Sequence, residues 1–576
     1  MTLTEQRQRL ETLRGQMKSD RASFDTHWRE LSDFLLPRRS RFLASDRNKG
    51  DKRNQNIIDS TARFAVRTLQ SGLHAGLTSP ARPWFLLTTA DPDIAERQDV
   101  RVWLELVTRR MRVVFEDSNL YNTLPTIYGD MGVFGTAAMG VFEDSPDVFR
   151  CYAYPVGSYY IGLDRRNLVT TFSRDYELTV RQVVEEFLRV PGSRDIDWSK
   201  ASPSLKDEWD RSNYETAVPI TWVVLPNPEW DDRRLAASYK QFASYHYESS
   251  GRSALGFLRK SGYDTFPIMC PRWDITAEDA YGTACPGMDA LGDVKQLQSM
   301  QREKAKALKK IVDPPLVGAT ELRTQKVSIL PGDITYARDP ASALRAAHEI
   351  NFNLDHFRLD VGETQFRIQR AFYEDLFLML ARSDSRLGAA RPTAREIEER
   401  HEEKLLALGP VLERTNDELL NPLIDRIFGI MLLHGLVPPA PDSLQGMALK
   451  VEYVSIMAQA QKLVGVAAQD RFVMSVLPLA QIDATVIDRV DTGRVVQNYA
   501  DQLGIDPRSL RDDETVAAMA AERQQQQQAI VAAEAAQKMG AGVKALGTTP
   551  ADQDSVLSRL ASNLSGAVPA LGGGGV

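Results

Sequence analysis

Apolar residues along the first third of the chain recur at helical spacing. Leu10, Leu13, Met17, Phe24, Trp28, Leu31 and Leu35 predict a helix over residues 1–36 that stops at Pro37. The polar segment "RRSRFLASDRNKGDKRNQN" then reads as a loop. A second helix follows in "NIIDSTARFAVRTLQSGLHAGLTSPARPWFLL", with Asp59 or Ser60 as its N-cap and Pro80 and Pro83 closing it. "VRVWLELVTRRMRVVFEDS" and "LYNTLPTIYGDMGVFGTAAMGVFED" predict further helices, the latter turning toward strand. Trp28, Trp84 and Phe85 are candidate core residues.

From about 149 to 275 the pattern changes to short aromatic and β-branched runs. "VFRCYAYPVGSYYIGLD", "LVTTFSRDYEL", "PITWVVLPN", "SYKQFASYHYE" and "FPIMCPRWDIT" carry strand signals, with one helix in "TVRQVVEEFL". The fold class that follows is α+β and mainly helical.

Residues 287–312 then form a helical stripe of Leu291, Val294, Leu297, Met300, Leu308 and Ile311, with lysines on the other face. "DPPLVG" stops it, because proline cannot extend a helix. "QKVSILPGDITYARD" predicts two short strands around a Pro331-Gly332 turn. A helical pattern returns near 341, is broken across "NFNLDHFRLDVGE", and strengthens in "ETQFRIQRAFYEDLFLML". Thr393 and Glu396 form a T-x-x-E capping box for a long helix ending at Gly435 and Pro438, in which Pro410 and Pro422 should produce bends. "MALKVEYVS" is a strand candidate. Residues 456–535 are alanine-rich and helix-like, and the end of the chain is Gly-rich and expected to be mobile. No internal repeat is present.

Composition narrows the function. A chain of 576 residues with 43% apolar and 26% charged residues should bury several cores. Its net charge of −7 argues against a protein that coats nucleic acid along its whole surface. Three scattered cysteines give no disulfide framework and no zinc set, which points to a reducing compartment. The N-terminus is charged from its start, unlike a signal peptide, and no apolar run is long enough to span a membrane.

Familiar catalytic signatures are missing. There is no GxxxxGK[ST] phosphate loop, no HExxH and no GxSxG, and "HEEKL" at His401 fails at its fifth position. The seven histidines are dispersed, and the paired carboxylates sit at helical surface spacing. The reading is a non-enzyme with no catalytic residue, metal site or cofactor.

One stretch departs from the acidic background. Within the stretch Leu380–Lys404, its middle from Arg382 to Arg395 sets Arg382, Arg386, Arg391 and Arg395 against Asp384, a local charge of +3, around Gly388 and Pro392. Ordinary linker chemistry would account for it, as a solvated face would for Lys304, Lys306, Lys309 and Lys310.

Three segments together resemble one family. They are "WRELSDFLLPRRSRF" with the helix after it, "YGTACPGMDALGDVKQLQSMQREKAKALKKIVDPPLVG", and "RPTAREIEERHEEKLLALGPVLERTNDELLNPLIDRIFGIM". In this order they are similar to the portal proteins, or head-to-tail connectors, of short-tailed, T7-like double-stranded DNA bacteriophages. The resemblance covers roughly residues 1–500.

It implies a ring, usually of twelve subunits, around a DNA channel at one capsid vertex. It implies N-terminal helices and an α+β wing over 1–286, a first stem helix over 287–312, a clip over 313–345, and a second stem helix over 346–380. A tunnel loop over 381–392, a long kinked wing helix and strand over 393–455, a helical crown over 456–525 and a partly mobile tail over 526–576 would follow. Arg382, Arg386 and Arg391 would contact DNA from the tunnel loop, and Lys304, Lys306, Lys309 and Lys310 would line the stem.

The implied partners are further copies of the chain, double-stranded DNA without sequence specificity, the terminase large subunit, a tail adaptor protein, and the major capsid and scaffolding proteins, with no membrane. The protein would reside in the virion, and in the host cytoplasm during assembly. A capsid scaffolding or structural protein without a channel is the alternative.

Overall fold

The computed structural model describes residues 2–46, 50–95, 97–190, 192–249, 256–276, 278–313, 315–318, 320, 345–346, 354–382, 408–444, 449–454, 516, 518–519 and 521–531. The chain divides into two compact units, Met1–Asp483 and Ala484–Val576. In the second unit the described residues are helical and exposed, Arg523–Gln528 among them.

The first unit opens with α1 (Leu3–Phe34), whose start is fixed by a capping box between Thr2 and Glu5. After the polar loop come α2 (Thr61–Leu77), β1 (Phe85–Thr89), the short α3 (Pro92–Ala95), α4 (Gln98–Asp117) and α5 (Leu120–Phe134). Gly135, at φ +76°, ends α5 in the left-handed region that glycine adopts without strain. The strands follow: β2 (Met139–Asp144), β3 (Val148–Ala153), β4 (Tyr159–Leu163), β5 (Val169–Thr179), β6 (Ala217–Pro226), β7 (Phe242–Glu248), β8 (Arg259–Tyr263) and β9 (Ile268–Met269). Between β5 and β6 lie α6 (Val180–Val183), continued by a π turn over Val184–Leu188, and α7 (Pro203–Asp210).

These strands make two antiparallel sheets, β3-β2-β9 and β4-β5-β6-β7-β8. The larger sheet has two distinct faces. On one, Asp175, Thr221 and Tyr247 stand in register and meet α1: Arg14 pairs with Asp175 at 2.8 Å, and the Arg7 guanidinium lies 3.7 Å from the Tyr247 ring. The main core lies among α1, α2, α4, α5 and the smaller sheet, and it holds Trp28, Trp84 and Phe85 as expected.

The helices α8 (Pro286–Val312), α9 (Leu354–Ala371) and α10 (Glu374–Arg382) complete the middle of the chain. The described residues from 408 onward are helical and lead through a π turn, Asn416–Leu420, into α11 (Asn421–Leu433). The bend expected at Pro422 takes this form. Proline lacks the N–H and crowds the carbonyl four residues back, and the wider π turn relieves that crowding while Asn421 N–H still reaches the Asn416 carbonyl.

Several expectations need correction. Arg345–Ala346 is a strand (β11) paired antiparallel with Leu316–Val317 (β10), although the sequence there reads as helical; pairing with a distant partner overrides local propensity. The break expected in "NFNLDHFRLDVGE" is absent from the described part, because α9 runs unbroken from Leu354 through Gly362. The interruption comes later, at Phe372-Tyr373, where Tyr373 adopts φ +55° and separates α9 from α10. The segment "FLLTT", which lies beyond the prolines expected to close the second helix and carries no strand expectation, is strand β1. It pairs with β12 (Leu449–Tyr453), which was expected as a strand, from Phe85↔Tyr453 to Thr89↔Leu449. Strand β8, "RKSGY", has no apolar alternation and went unread. The Pro331-Gly332 turn and the Thr393–Glu396 capping box lie outside the described residues.

Candidate functional site: a helix pair with a basic outer end

The first two segments that carry the resemblance meet where α1 packs on α8, and α8 packs along α9. These last two helices run antiparallel: Arg367 pairs with Asp293 at 3.1 Å near one end, and Thr364 Oγ1 lies 3.9 Å from Met300 Sδ further along. The inner half of α8 is anchored. Pro286 occupies its first turn, where a missing N–H costs nothing, and Leu291, Val294 and Leu297 are buried. Gly287 abuts the end of α5 so closely that a Cβ there would sit 2.5 Å from the Val133 carbonyl oxygen. Lys295 reaches Glu30 of α1 at 2.6 Å.

Asp59 ties both helices to the start of α2. One carboxylate oxygen accepts from Thr61 N and Oγ1 at 2.8 and 2.6 Å. The other accepts from Gln301 of α8 and Gln365 of α9 at 3.0 and 2.9 Å. The buried Gln298 completes the joint, its Oε1 accepting from Ile58 N and Asp59 N and its Nε2 donating to the Asp59 carbonyl. Burial of Asp59 acts to raise its pKa, but the hydrogen bonds from Thr61, Gln365 and Gln301 outweigh it and hold the carboxyl below its ordinary 3.8. The unfolded chain then binds the proton more readily. The stabilisation is therefore present above the ordinary carboxylate range and is lost as pH falls through the depressed folded value. Asp59→Asn is expected to cost about 1–2 kcal/mol at neutral pH and to flatten the acid limb of a urea-denaturation series; a variant as stable as the parent at pH 7 would remove Asp59 from this role.

The outer half of α8 differs. The apolar stripe read from the sequence is buried through Leu297, but Leu308 and Ile311 are 39% and 48% exposed. They lie near other uncovered apolar residues, Val312, Leu316 and Val317. Around them Lys306, Lys309 and Lys310 are exposed and Lys304 is half-buried. Lys306 pairs with Glu303 at 2.8 Å, and that contact holds the Glu303 carboxyl below its usual range. Lys309 and Lys310 occupy the last turn, where cations complement the helix dipole whatever else they do.

Arg382 is the last residue of α10, and Arg386 and Arg391 lie outside the described residues. Arg382 follows α9 in the chain by way of α10, whereas Lys304, Lys306, Lys309 and Lys310 stand in the outer half of α8. Sequence reading missed the Asp59 joint; its only trace was the choice between Asp59 and Ser60 as N-cap, and the helix partners of a capping carboxylate have no local signal. Among the described residues no group of histidine, cysteine and carboxylate side chains could hold a metal ion.

α8 and α9 thus form a helix pair rooted on α1, α2 and α5, with the outer end of α8 exposed. Residues 7–510 match the family described as "Bacteriophage head to tail connecting protein". The chain is 42% identical over 569 residues, 98% of its length and 100% of the relative's, to the "Portal protein" of Salmonella phage epsilon15. It is 40% identical over 505 residues, 87% of its length and 88% of the relative's, to the "Probable portal protein" of Bordetella phage BPP-1. Among solved structures, a chain of the virion of a native gene transfer agent particle matches with a TM-score of 0.35 and 9% identity, over 76% of this chain and 93% of that one. The chain therefore belongs to the bacteriophage head to tail connecting protein family.

Proposed function

We propose that the protein is the portal at one capsid vertex: a closed ring, dodecameric by family resemblance, through which double-stranded DNA is packaged and ejected. In it α8 and α9 form the stem, 313–345 the clip, 381–392 the tunnel loop and 456–525 the crown. The observation that carries this reading is the apolar stripe of α8, which continues past its own subunit's cover to Leu308 and Ile311. An uncovered stripe on an anchored helix needs a neighbour, and a head-to-tail contact between copies supplies one and closes by rotation.

The channel chemistry follows from charge. A chain of net −7 does not hold DNA along its length, whereas local basic levels touch phosphate without trapping it. Arg382, Arg386 and Arg391 supply one level, and Lys304, Lys306, Lys309 and Lys310 the other. Twelve copies of the basic stretch from Arg382 to Arg395, each of net +3, make a ring of roughly +36. The ends of such a ring meet the terminase large subunit during packaging and a tail adaptor afterwards, and its rim meets the major capsid and scaffolding proteins. Assembly takes place in the host cytoplasm before the ring enters the virion.

Negative-stain images of the purified protein should show rings with a central hole; monodisperse particles without one would overturn the reading. Alanine at Arg382, Arg386 and Arg391 together should leave ring yield unchanged and reduce the fraction of DNA-filled heads about tenfold, as expected when several phosphate contacts per subunit are lost. Filled heads at the parental level would make the loop a linker.

A further inference from the structure

The larger sheet has a second face, opposite α1, and it is only partly covered. Tyr159, Arg174, Trp222, His246 and Arg259 stand directly opposite one another across all five strands, so their side chains share that face. The smaller sheet and the end of α11 flank it and leave a cavity of about 1120 Å³. Its walls are aromatic: Trp222 stacks on His246 at 5.5 Å and 11°, and Phe187 lies 5.2 Å from the same imidazole. Its rim is aliphatic, with Leu432 and Leu433 of α11 58% and 68% exposed.

Two polar side chains that line the cavity have unmet hydrogen-bonding atoms. The Arg174 guanidinium lies 4.5 Å from the Tyr154 ring and 5.1 Å from the Tyr176 ring, and its Nε–H is buried without an acceptor. His246 Nδ1 is likewise buried and unpartnered. The other cations of the cavity are satisfied. Arg259 pairs with Glu186 at 3.0 Å, Lys240 pairs with Asp264 at 2.8 Å, and Arg426 donates to the Val141 and Thr265 carbonyls. Glu143 and Glu185 also line the walls, but among the described residues no carboxylate pairs with Arg174. A half-buried guanidinium whose Nε–H is shut away from water and unpaired with an anion is costly, and an incoming carboxylate removes that cost.

We propose that this cavity docks a segment of a partner protein in which an acidic side chain neighbours a large apolar one. The carboxylate would meet Arg174, and the apolar side chain would lie against Trp222 and Phe187. The exposed leucines of the rim extend the apolar surface beyond what a small ligand covers, so a peptide is the occupant the site fits. Apolar anchoring with one buried charge-assisted contact is the usual composition of a binding hot spot. This goes beyond the portal reading and does not depend on the number of subunits.

The test uses the full-length protein as purified and a random heptapeptide library, selected in parallel on the parent, on Leu433→Asp and on Arg174→Met. Leu433 is exposed, so L433D should melt with the parent while placing a repelling carboxylate and no methyl groups at the rim. The parent should enrich peptides with Asp or Glu beside Leu, Phe, Trp or Met, and neither variant should. Changing the acidic residue of an enriched peptide to its amide should weaken binding at least about tenfold, the scale of a hydrogen bond to a charged group. No enrichment over L433D, enrichment of peptides without acidic residues, or equal binding of acid and amide would overturn the proposal.

Discussion

Replacing Glu418 by alanine is expected to destabilise the first unit by about 3–5 kcal/mol, the cost of leaving a buried partner charge uncompensated. The partner is Arg272, whose side chain is 2% exposed against 12% for Glu418. Its Nη2 donates to Glu418 Oε1 at 2.6 Å, its Nε lies 3.2 Å from both carboxylate oxygens, and its backbone N–H donates to Oε2 at 2.9 Å. The same guanidinium donates to the Asn167 carbonyl at 2.9 Å.

The pair thus joins three distant parts of the chain: the β4–β5 turn, the segment leading to α8, and the π turn that presents Glu418. Exchange of both partners, Arg272→Met with Glu418→Leu, should cost markedly less than E418A, because the desolvation of both charges is then avoided. Denaturation of the parent, E418A and the double variant measures both. An E418A protein as stable as the parent would show that the pair carries no such load.

Trp28→Ala is expected to cost about 3–5 kcal/mol through the cavity it leaves. Trp28 is fully buried, meets Tyr281 edge-on at 5.2 Å, and donates from Nε1 to the Phe134 carbonyl at 3.0 Å. Tyr281 in turn accepts at its hydroxyl from Ile161 N at 3.1 Å. Beside it, Gly282 and Gly135 pass so closely that a Cβ on Gly282 would lie 2.1 Å from the Gly135 carbonyl oxygen. Trp28 therefore packs α1 against the joint where α5 ends and the approach to α8 begins. Trp28→Phe keeps most of the ring volume and isolates the orphaned Phe134 carbonyl, a loss of about 1–3 kcal/mol. If W28A lost no more than W28F, the indole would contribute its hydrogen bond alone. Both variants should also reduce ring yield, since α8 is oriented from this joint.

These two sites show what could be read without coordinates. Trp28 was legible as core, because it falls on the apolar spacing of a 32-residue helix. Glu418 was not: it sits in a charged stretch at helical surface spacing, and only the π turn before Pro422 and the distant Arg272 make it a buried ion-pair partner. The cavity on the second sheet face was equally hidden, because the row from Tyr159 to Arg259 is assembled across five strands, one of which has no readable alternation.

The sequence by itself determined the helices with strong 3.6-residue periodicity, the stop after Val312, the α+β class and the family resemblance, since these depend on local spacing and on the order of segments. Tertiary structure alone decided that β1 pairs with β12, that α9 breaks at Tyr373, that Asp59 holds both helices of the pair, and that the stripe of α8 is covered through Leu297 and open beyond it. Those outcomes depend on which surfaces meet, and burial, register and charge pairing between distant segments leave no signal in local sequence.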